Sequence, residues 1–181
     1  MNIITAFGVI VLIDLVSGIV HWAEDTFASE STPIIGKWIV VPNVIHHKNA
    51  TAFVSNSWTE SSWDLLVVGI VVVLMGWAYG FLIWYVWLFV LLGVNANQIH
   101  KWNHMRIAEV PALIHALQWL RLIQRPTDHA AHHRGQKNRA YCLITPFLNP
   151  VLDRVGFWRA LEKVTVPIFT APRREDLKNN A

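Results

Sequence analysis

The longest uncharged stretch of the chain limits its possible folds more than any other feature. Residues 65–99 contain no Asp, Glu, Lys or Arg. As one straight helix they would be about 52 Å long at ~1.5 Å per residue, whereas the hydrocarbon core of a bilayer is ~30 Å thick. Residues 76–80 (Gly-Trp-Ala-Tyr-Gly) lie near the middle and favour a turn. The sequence therefore predicts a helical hairpin with spans at roughly residues 63–78 and 81–100.

The composition is typical of a membrane protein. Hydrophobic residues make up 54% of the 181 residues and charged residues only 15%, which is unlike a soluble domain of this size. Residues 3–20 form a second apolar segment, long enough for one bilayer crossing. No Lys or Arg precedes this segment, so we expect a transmembrane helix rather than a removable signal peptide. Its one charge, Asp14, is either functional or a buried residue that fixes helix packing.

The basic residues are concentrated in the second half of the chain. Thirteen of the 15 Lys and Arg residues lie from Lys101 onward, and none occurs in residues 1–36 or 49–100. This distribution predicts that one membrane face is cytoplasmic and carries the polar part of a multi-pass protein. Because no run of like charge and no basic–aromatic module is present, we expect no nucleic-acid partner.

The remaining segments complete the predicted fold. Residues 26–62 are mixed and polar, and we expect them on the membrane surface. Residues 107–124 carry charges and a proline within an apolar pattern, which favours an interfacial helix. We therefore predict an all-α integral membrane protein with about three transmembrane helices (one plus a helical hairpin), an interfacial helix and a cytosolic histidine-rich cap. We expect one domain over residues 1–170 and a polar tail over residues 171–181.

Histidines are the candidate functional residues. Eight of the nine occur in four groups that the predicted topology brings to one membrane face: His21; His46 and His47; His100 and His104; His129, His132 and His133. Offsets of three and four residues share a helix face, so we expect the rings of His100 and His104 to point the same way, and likewise the rings of the His129 group. The ninth, His115, has no partner and is expected to sit at the interface. The alternative for the whole set is that these histidines only pack a helical bundle.

The donor types point to two metal ions. The single cysteine, Cys142, excludes a Cys-x-x-Cys metal or redox site. Eight imidazoles exceed the four ligands of one tetrahedral zinc, and imidazole suits Zn, Cu, Fe and Ni. At a membrane surface, we interpret the set as iron that activates dioxygen against an unreactive C–H bond. Asp25 is expected to orient His21 or to bind metal directly. Four other carboxylates are expected to accept ring N–H groups: Glu24, Asp128, Asp153 and Glu162.

Five segments of the chain together carry a family resemblance: Asp14–Thr26, His46-His47, Asn97-Gln-Ile-His100-Lys-Trp-Asn-His104, His129-Ala-Ala-His132-His133, and residues 141–162 with Tyr141-Cys142, Asn149 and Gly156-Phe-Trp-Arg-x-Leu-Glu162. In this order they resemble the plasmanylethanolamine desaturase (Kua-type) lipid desaturase family of membrane histidine-box enzymes. It implies a non-haem di-iron enzyme that uses O2 and two external electrons to desaturate a lipid-bound chain, with the eight grouped histidines as iron ligands.

The resemblance also implies a substrate class and a redox partner. Plasmalogen-forming members make the vinyl ether of an ether phospholipid, which is the favoured expectation, and plant relatives desaturate an acyl chain of a glycerolipid. The residues also fit a di-iron lipid hydroxylase or, less well, a divalent-metal transporter. No G-x-G-x-x-G fingerprint is present, so electrons are expected from a small carrier of the cytochrome b5 or ferredoxin type. The chain departs from the family pattern at Lys48–Thr51, Gln136-Lys137 and Pro146-Phe147, which concerns the substrate rather than the histidines.

Overall fold

The computed structural model describes residues 2–134 and 137–169, and in this part of the chain it contains helices and no strand. This confirms the all-α prediction. The predicted tail, residues 171–181, lies outside the described residues. The α-helices are α1 (Ile3–Thr26), α2 (Val41–Lys48), α3 (Trp58–Ala78), α4 (Trp84–Val94), α5 (Ala96–Trp102), α6 (Ala112–Trp119), α7 (Pro126–His129), α8 (Leu148–Arg154) and α9 (Phe157–Phe169).

Two of these helices are long and apolar enough to cross a membrane. They are α1, with 24 residues, and α3, with 21 residues. The predicted third span is divided, because α4 is an apolar helix of 11 residues that ends at Val94, and α5 begins after Asn95. At this break the Asn95 amide donates to the Leu91 carbonyl and accepts from the Trp58 indole, at 2.8 and 3.0 Å. A third crossing therefore stays a prediction.

A hairpin joins α3 to α4 where the glycine pattern predicted it. Gly80 has a φ of +73°, a left-handed conformation that glycine adopts without steric cost. Further along the two helices, Gly69 allows close packing: a Cβ built there would lie 2.7 Å from Cγ1 of Val94. Because α1 also packs against α4, the three helices form one bundle around Ile13, Ala96 and related apolar residues.

Asp14 joins α1 to a segment without regular secondary structure, residues 141–145. Its side chain is fully buried and accepts hydrogen bonds from the backbone N–H groups of Ile144 and Thr145, at 2.9 and 3.2 Å. The Thr145 hydroxyl donates to the same carboxylate. A buried segment without helical hydrogen bonds needs such acceptors. Of the two roles left open for Asp14, these contacts support the structural one.

The predicted interfacial helix, residues 107–124, is shorter in the structure, where α6 covers Ala112–Trp119. A 3₁₀ turn at Ile107–Glu109 precedes Pro111, and only the eight residues of α6 are α-helical. The helix ends because Arg121 adopts a left-handed conformation with a φ of 59°. Leu113 and Trp119 are largely exposed, which fits contact with lipid. The position of α6 at the membrane interface stays a prediction.

Candidate metal centre

The structure gathers all eight predicted histidines and Asp25 into two adjacent clusters. We call them the five-histidine group and the Asp25 group. Within each, the potential ligand atoms all lie within 4.8 Å of one another. The five-histidine group contains His46, His100, His104, His129 and His133, and the Asp25 group contains His21, Asp25, His47 and His132. His115 is exposed on α6 and belongs to neither group.

Neighbouring histidines contribute to different groups. Successive residues of a helix point about 100° apart, because an α-helix has ~3.6 residues per turn. His46 and His47, both on α2, therefore lie in separate groups. His132 and His133 are divided in the same way. We expected the rings of residues 129–133 to share one helix face, and this was wrong because α7 ends at His129.

The five-histidine group has convergent ring nitrogens. Nε2 of His129 lies 2.9 Å from Nε2 of His100 and 3.0 Å from Nε2 of His133. A neutral ring nitrogen carries either one proton or one lone pair, so it cannot make a good hydrogen bond with both neighbours. Two imidazole nitrogens about 2.1 Å from one metal ion, at right angles, lie roughly 3.0 Å apart. The spacing therefore fits ligands of a shared ion.

Two further rings of this group have polar atoms without hydrogen bonds. Among the described residues, both ring nitrogens of His46 and Nε2 of His104 are buried and have no hydrogen-bond partner. Such atoms cost free energy in a folded protein unless they bind something. The His46 ring lies 4.6 Å from the His104 ring, measured between centroids. An ion between these rings would satisfy atoms that the protein leaves unpaired.

Burial keeps the five-histidine group neutral. Burial, reinforced by neighbouring histidines, lowers the pKa of His46 to about 2, of His104 to about 4 and of His133 to about 3. Each ring is therefore uncharged at neutral pH, which is the form that binds metal.

A carboxylate lies at the centre of the Asp25 group. Nε2 of His47 and Nε2 of His132 lie 3.0 and 3.3 Å from Asp25 oxygens, and Nε2 of His21 lies 3.7 Å away. The side-chain amide of Asn43 donates to Asp25 Oδ1 at 2.8 Å, which fixes the carboxylate. This geometry suits either of the roles predicted for Asp25, as a ligand or as a partner of His21.

Backbone carbonyls orient two rings of the Asp25 group. Nδ1 of His21 lies 3.1 Å from the Tyr141 carbonyl, and Nδ1 of His132 lies 2.8 Å from the Arg139 carbonyl. Because a carbonyl can only accept, Nδ1 carries the proton and Nε2 presents its lone pair to the site. Residues 139–141 therefore act as the orienting segment. No local sequence pattern identifies them, because any residue can supply a carbonyl.

Three of the four carboxylates predicted as ring acceptors contact other groups in the fold. Asp128 accepts from the Arg125 backbone N–H at the start of α7. Asp153 accepts from the Ala140 N–H and the Trp158 indole. Glu162 accepts from the Trp22 indole and from the Arg159 guanidinium. These contacts hold the helices that carry the site.

An apolar cavity of about 550 Å³ reaches both groups. Three of the grouped histidines line it: His21, His46 and His100. The lining changes from apolar to polar toward the C-terminal end of α1, from Ile13 to Glu24, and toward the N-terminal end of α3, from Val72 to Glu60. Val72 lies twelve residue steps after Glu60, which corresponds to about 18 Å of helix at ~1.5 Å per residue. The volume is typical of pockets for small molecules.

The donors and their surroundings define a class of protein. Eight imidazoles and one carboxylate without thiolate, in two groups with unpaired buried nitrogens, fit two transition-metal ions of the kind that imidazole binds, iron among them. The site lies beside an apolar cavity between helices long enough to cross a membrane. These features are those of a helical membrane protein with histidine clusters that could hold metal ions.

Comparison with known proteins identifies the family. A sequence model of the lipid desaturase domain matches residues 10–176, and the chain belongs to this family. Over 179 residues, 91% of this chain, it is 32% identical to plasmanylethanolamine desaturase 1 of Mus musculus and 30% identical to plasmanylethanolamine desaturase of Myxococcus xanthus. Over 157 residues, 85% of the chain, it is 32% identical to the chloroplastic fatty acid desaturase 4 of Arabidopsis thaliana.

The chain is shorter than these relatives. It spans 65% of the mouse protein, 60% of the Myxococcus protein and 48% of the Arabidopsis protein. No solved structure matches the chain.

Proposed function

We propose that the chain is an O2-dependent di-iron desaturase that introduces a double bond into a lipid-bound chain. The observation that carries this proposal is the pair of histidine groups at the polar end of an apolar cavity, beside helices that can span a membrane. Membership of the lipid desaturase family supports the same reaction type. In this proposal the active site lies on the cytoplasmic face, where the basic residues are concentrated.

The eight grouped histidines would hold the two irons, with Asp25 as a ligand or an orienting partner. Bound iron supplies the oxidation: O2 takes two hydrogens from adjacent carbons, together with two electrons and two protons from outside, and leaves as two waters. The protein's part is to hold neutral rings with their lone pairs directed into the site. The carbonyls of Tyr141 and Arg139 do this for His21 and His132.

The cavity would bind the lipid chain and exclude water. Its walls are apolar on α1, α3 and α4, with Val16 and Val20 on α1 and Val68 on α3 among them. An unbranched saturated chain has no polar group to be recognised, so its orientation depends on the shape of this cavity. Removal of water from the site also strengthens the electrostatic interactions within it.

The proposed product is the vinyl ether of an ether phospholipid, because two relatives of 30 and 32% identity are named plasmanylethanolamine desaturases. An acyl double bond in a glycerolipid is the second candidate, since the Arabidopsis relative of 32% identity is named a fatty acid desaturase. A metal transporter is disfavoured, because the intramembrane carboxylate of Asp14 already accepts backbone N–H groups.

We propose a small acidic electron carrier as the redox partner. Several basic residues lie next to the histidine groups in sequence or space: Lys48, Arg134, Lys137 and Arg139. Lys137 contacts the site directly, since its ammonium donates to the His47 carbonyl at 2.7 Å. Positive charge at this surface would favour encounter with an acidic protein by electrostatic steering.

Lipid analysis tests the proposed function. Host cells that express the chain are compared with cells carrying the vector alone, and their lipids are analysed by mass spectrometry. We expect acid-labile vinyl ethers or new acyl double bonds, and two irons per chain in the purified protein. Hydroxylated lipids would instead identify a hydroxylase. Unchanged lipids with an iron-loaded protein, or one zinc per chain, would falsify the proposal.

A further inference from the structure

A phenylalanine lies between the cavity and the five-histidine group. Phe53 belongs to the connection between α2 and α3, residues 49–57, which we call the Phe53 loop. Its ring is 4.7 Å from the His46 ring, 5.1 Å from the His100 ring and 5.7 Å from the His104 ring, measured between centroids. Phe53 also lines the cavity, together with His46 and His100. It is thus an apolar side chain in contact with both the candidate ligands and the space for the lipid chain.

The Phe53 loop has a defined conformation. Consecutive turns close it through backbone hydrogen bonds, from Ala52 N–H to the Asn49 carbonyl and from Asn56 N–H to the Phe53 carbonyl, at 2.9 and 3.1 Å. The Asn49 side chain accepts from the Thr51 backbone and hydroxyl. The loop then enters α3 through the capping box of Ser57. Phe53 is therefore held by local structure on both sides.

A buried lysine holds the loop against the metal-binding helix. Lys101 is 6% exposed and lies next to His100 on α5. Its ammonium donates to the Asn56 carbonyl, three residues after Phe53, at 2.6 Å. A hydrogen bond from a charged donor in a buried setting is among the stronger ones in proteins. The contact fixes the Phe53 loop relative to His100 and His104.

We propose that Phe53 determines which carbons of the bound chain are presented to the metal centre, and that Lys101 is a positioning residue that holds Phe53 in place. This inference rests on the proposed function and deepens it. The methylene groups of a saturated chain are chemically alike, so no hydrogen bond can select one of them. Selection depends on where the chain is stopped or bent, and a fixed aromatic ring at the histidine end of the cavity provides that boundary.

Shortening Phe53 tests the proposal directly. Phe53→Leu and Phe53→Ala are compared with the wild type, and the position of the new double bond is determined by ozone-induced dissociation in the mass spectrometer. We expect a second positional isomer, or a changed preference for chain length, with the ratio of products altered roughly tenfold or more. That magnitude follows because loss of one or a few methylene-sized contacts in an apolar pocket changes discrimination by about 10–200-fold.

The matched control is Phe27→Leu. Phe27 is also partly buried and packs on Trp22 and Phe169, but it lines neither the cavity nor a histidine group. This variant should leave the product ratio unchanged. Metal content is measured for every variant, so that a folding defect is separated from a change of selection. Phe53 variants with full metal content and the wild-type product ratio would overturn the proposal.

Lys101→Met tests the positioning role. It removes the ammonium but keeps an unbranched apolar side chain, and we expect the same shift in product ratio as for Phe53→Leu, with a smaller size. Trp58→Phe is its control, because it removes another hydrogen bond at the start of α3, from Trp58 to Asn95 at the α4–α5 break, that involves no residue of the Phe53 loop. Equal product ratios for Lys101→Met and the wild type would contradict the positioning role.

A binding measurement separates this inference from the proposed function. The purified proteins are loaded with a phospholipid that carries a diazirine at one chain position, and the photo-crosslinked peptides are mapped. Phe53→Ala should change the crosslinked residues even where no turnover occurs, whereas Phe27→Leu should not. If the wild type makes no double bond, the proposed function fails. If it does, and neither crosslinks nor products change, only the role of Phe53 fails.

Discussion

The five-histidine group and the Asp25 group share two of their chain segments but differ in charge. Both receive a residue from His46-His47 and from His132-His133, whereas only the Asp25 group contains a carboxylate. Two of its rings are oriented by backbone carbonyls. Among the described residues both groups contain buried ring nitrogens without a hydrogen bond, but in the five-histidine group no carboxylate lies among them. In the proposed function the Asp25 group would therefore compensate the charge of a bound metal and fix its ligands in advance, whereas the five-histidine group would rely on the burial of neutral rings.

This difference shows how one short sequence pattern can contribute to two potential metal sites. Two histidines on the same face of a helix would both point to one site. Because adjacent residues point about 100° apart, His46 and His47 instead link the two groups through α2. Their ring centroids are 5.6 Å apart. The two groups are thus joined by the backbone of α2, because His46 and His47 are consecutive residues.

The largest expected effect comes from removing one ligand of the five-histidine group. His104→Ala should lower the metal content from two ions to one per chain, with the Asp25 group still loaded. Activity should fall roughly a thousandfold or more, since a metal ion supplies several kcal/mol of transition-state stabilisation. Metal content is measured by mass spectrometry of the purified protein, and activity by the yield of desaturated lipid.

His115→Ala is the matched control for that variant. His115 is exposed on α6 and belongs to neither group, so its removal should change neither metal content nor activity. Loss of both ions in His104→Ala would show that the two groups do not bind independently. Retention of both ions would remove His104 from the ligand set.

A smaller effect is expected from neutralising the Asp25 group. Asp25→Asn keeps the shape of the side chain and the contact with Asn43 but removes the negative charge near three imidazoles. Metal affinity of this group should fall by roughly 10–100-fold, as for other changes to groups that orient ligands, and by more if Asp25 binds metal directly. Titration with a chelator measures the affinity of each ion.

Asp153→Asn provides the comparison for Asp25→Asn. Asp153 accepts hydrogen bonds from Ala140 and Trp158, and an Asn side chain can still accept them. This variant should keep both metal affinities. If Asp25→Asn also keeps them, the charge difference between the two groups has no consequence for metal binding.

The fold and the candidate site differ in how far the sequence predicts them. The hairpin follows from the length of an uncharged run and from Gly80, because bilayer thickness and backbone sterics are local constraints. The sequence also predicts which histidines form the site, since eight of the nine occur in groups on one predicted membrane face. These inferences need no knowledge of tertiary packing.

Three features depend on tertiary structure and could not be predicted. The division of histidines between the groups depends on where α7 ends, at His129. The carbonyls that orient His21 and His132 carry no side-chain signal. The role of Asp14 depends on a segment 130 residues away that approaches α1 closely at Gly18, where a Cβ would lie 2.7 Å from Cys142 Sγ.

The smallest expected effect concerns the stability of the metal-free protein in acid. The folded protein lowers the pKa of His46, His104 and His133 from 6.5 to between about 2 and 4, mainly by burial. Below pH 6.5 the unfolded chain therefore binds protons that the folded chain does not. The stabilisation from these neutral rings is complete above pH 6.5 and is lost as the pH falls toward those values.

A histidine variant in each group distinguishes their contributions to this acid sensitivity. Burial also lowers the pKa of His47, but Asp25 opposes the shift, so His47 should contribute less than His133. In chelator-treated protein, the Tm of the wild type should fall by several degrees between pH 6.5 and pH 4.5. His133→Gln should reduce this fall more than His47→Gln, as followed by circular dichroism. An equal reduction would mean that the charge of Asp25 does not offset the effect of burial on His47.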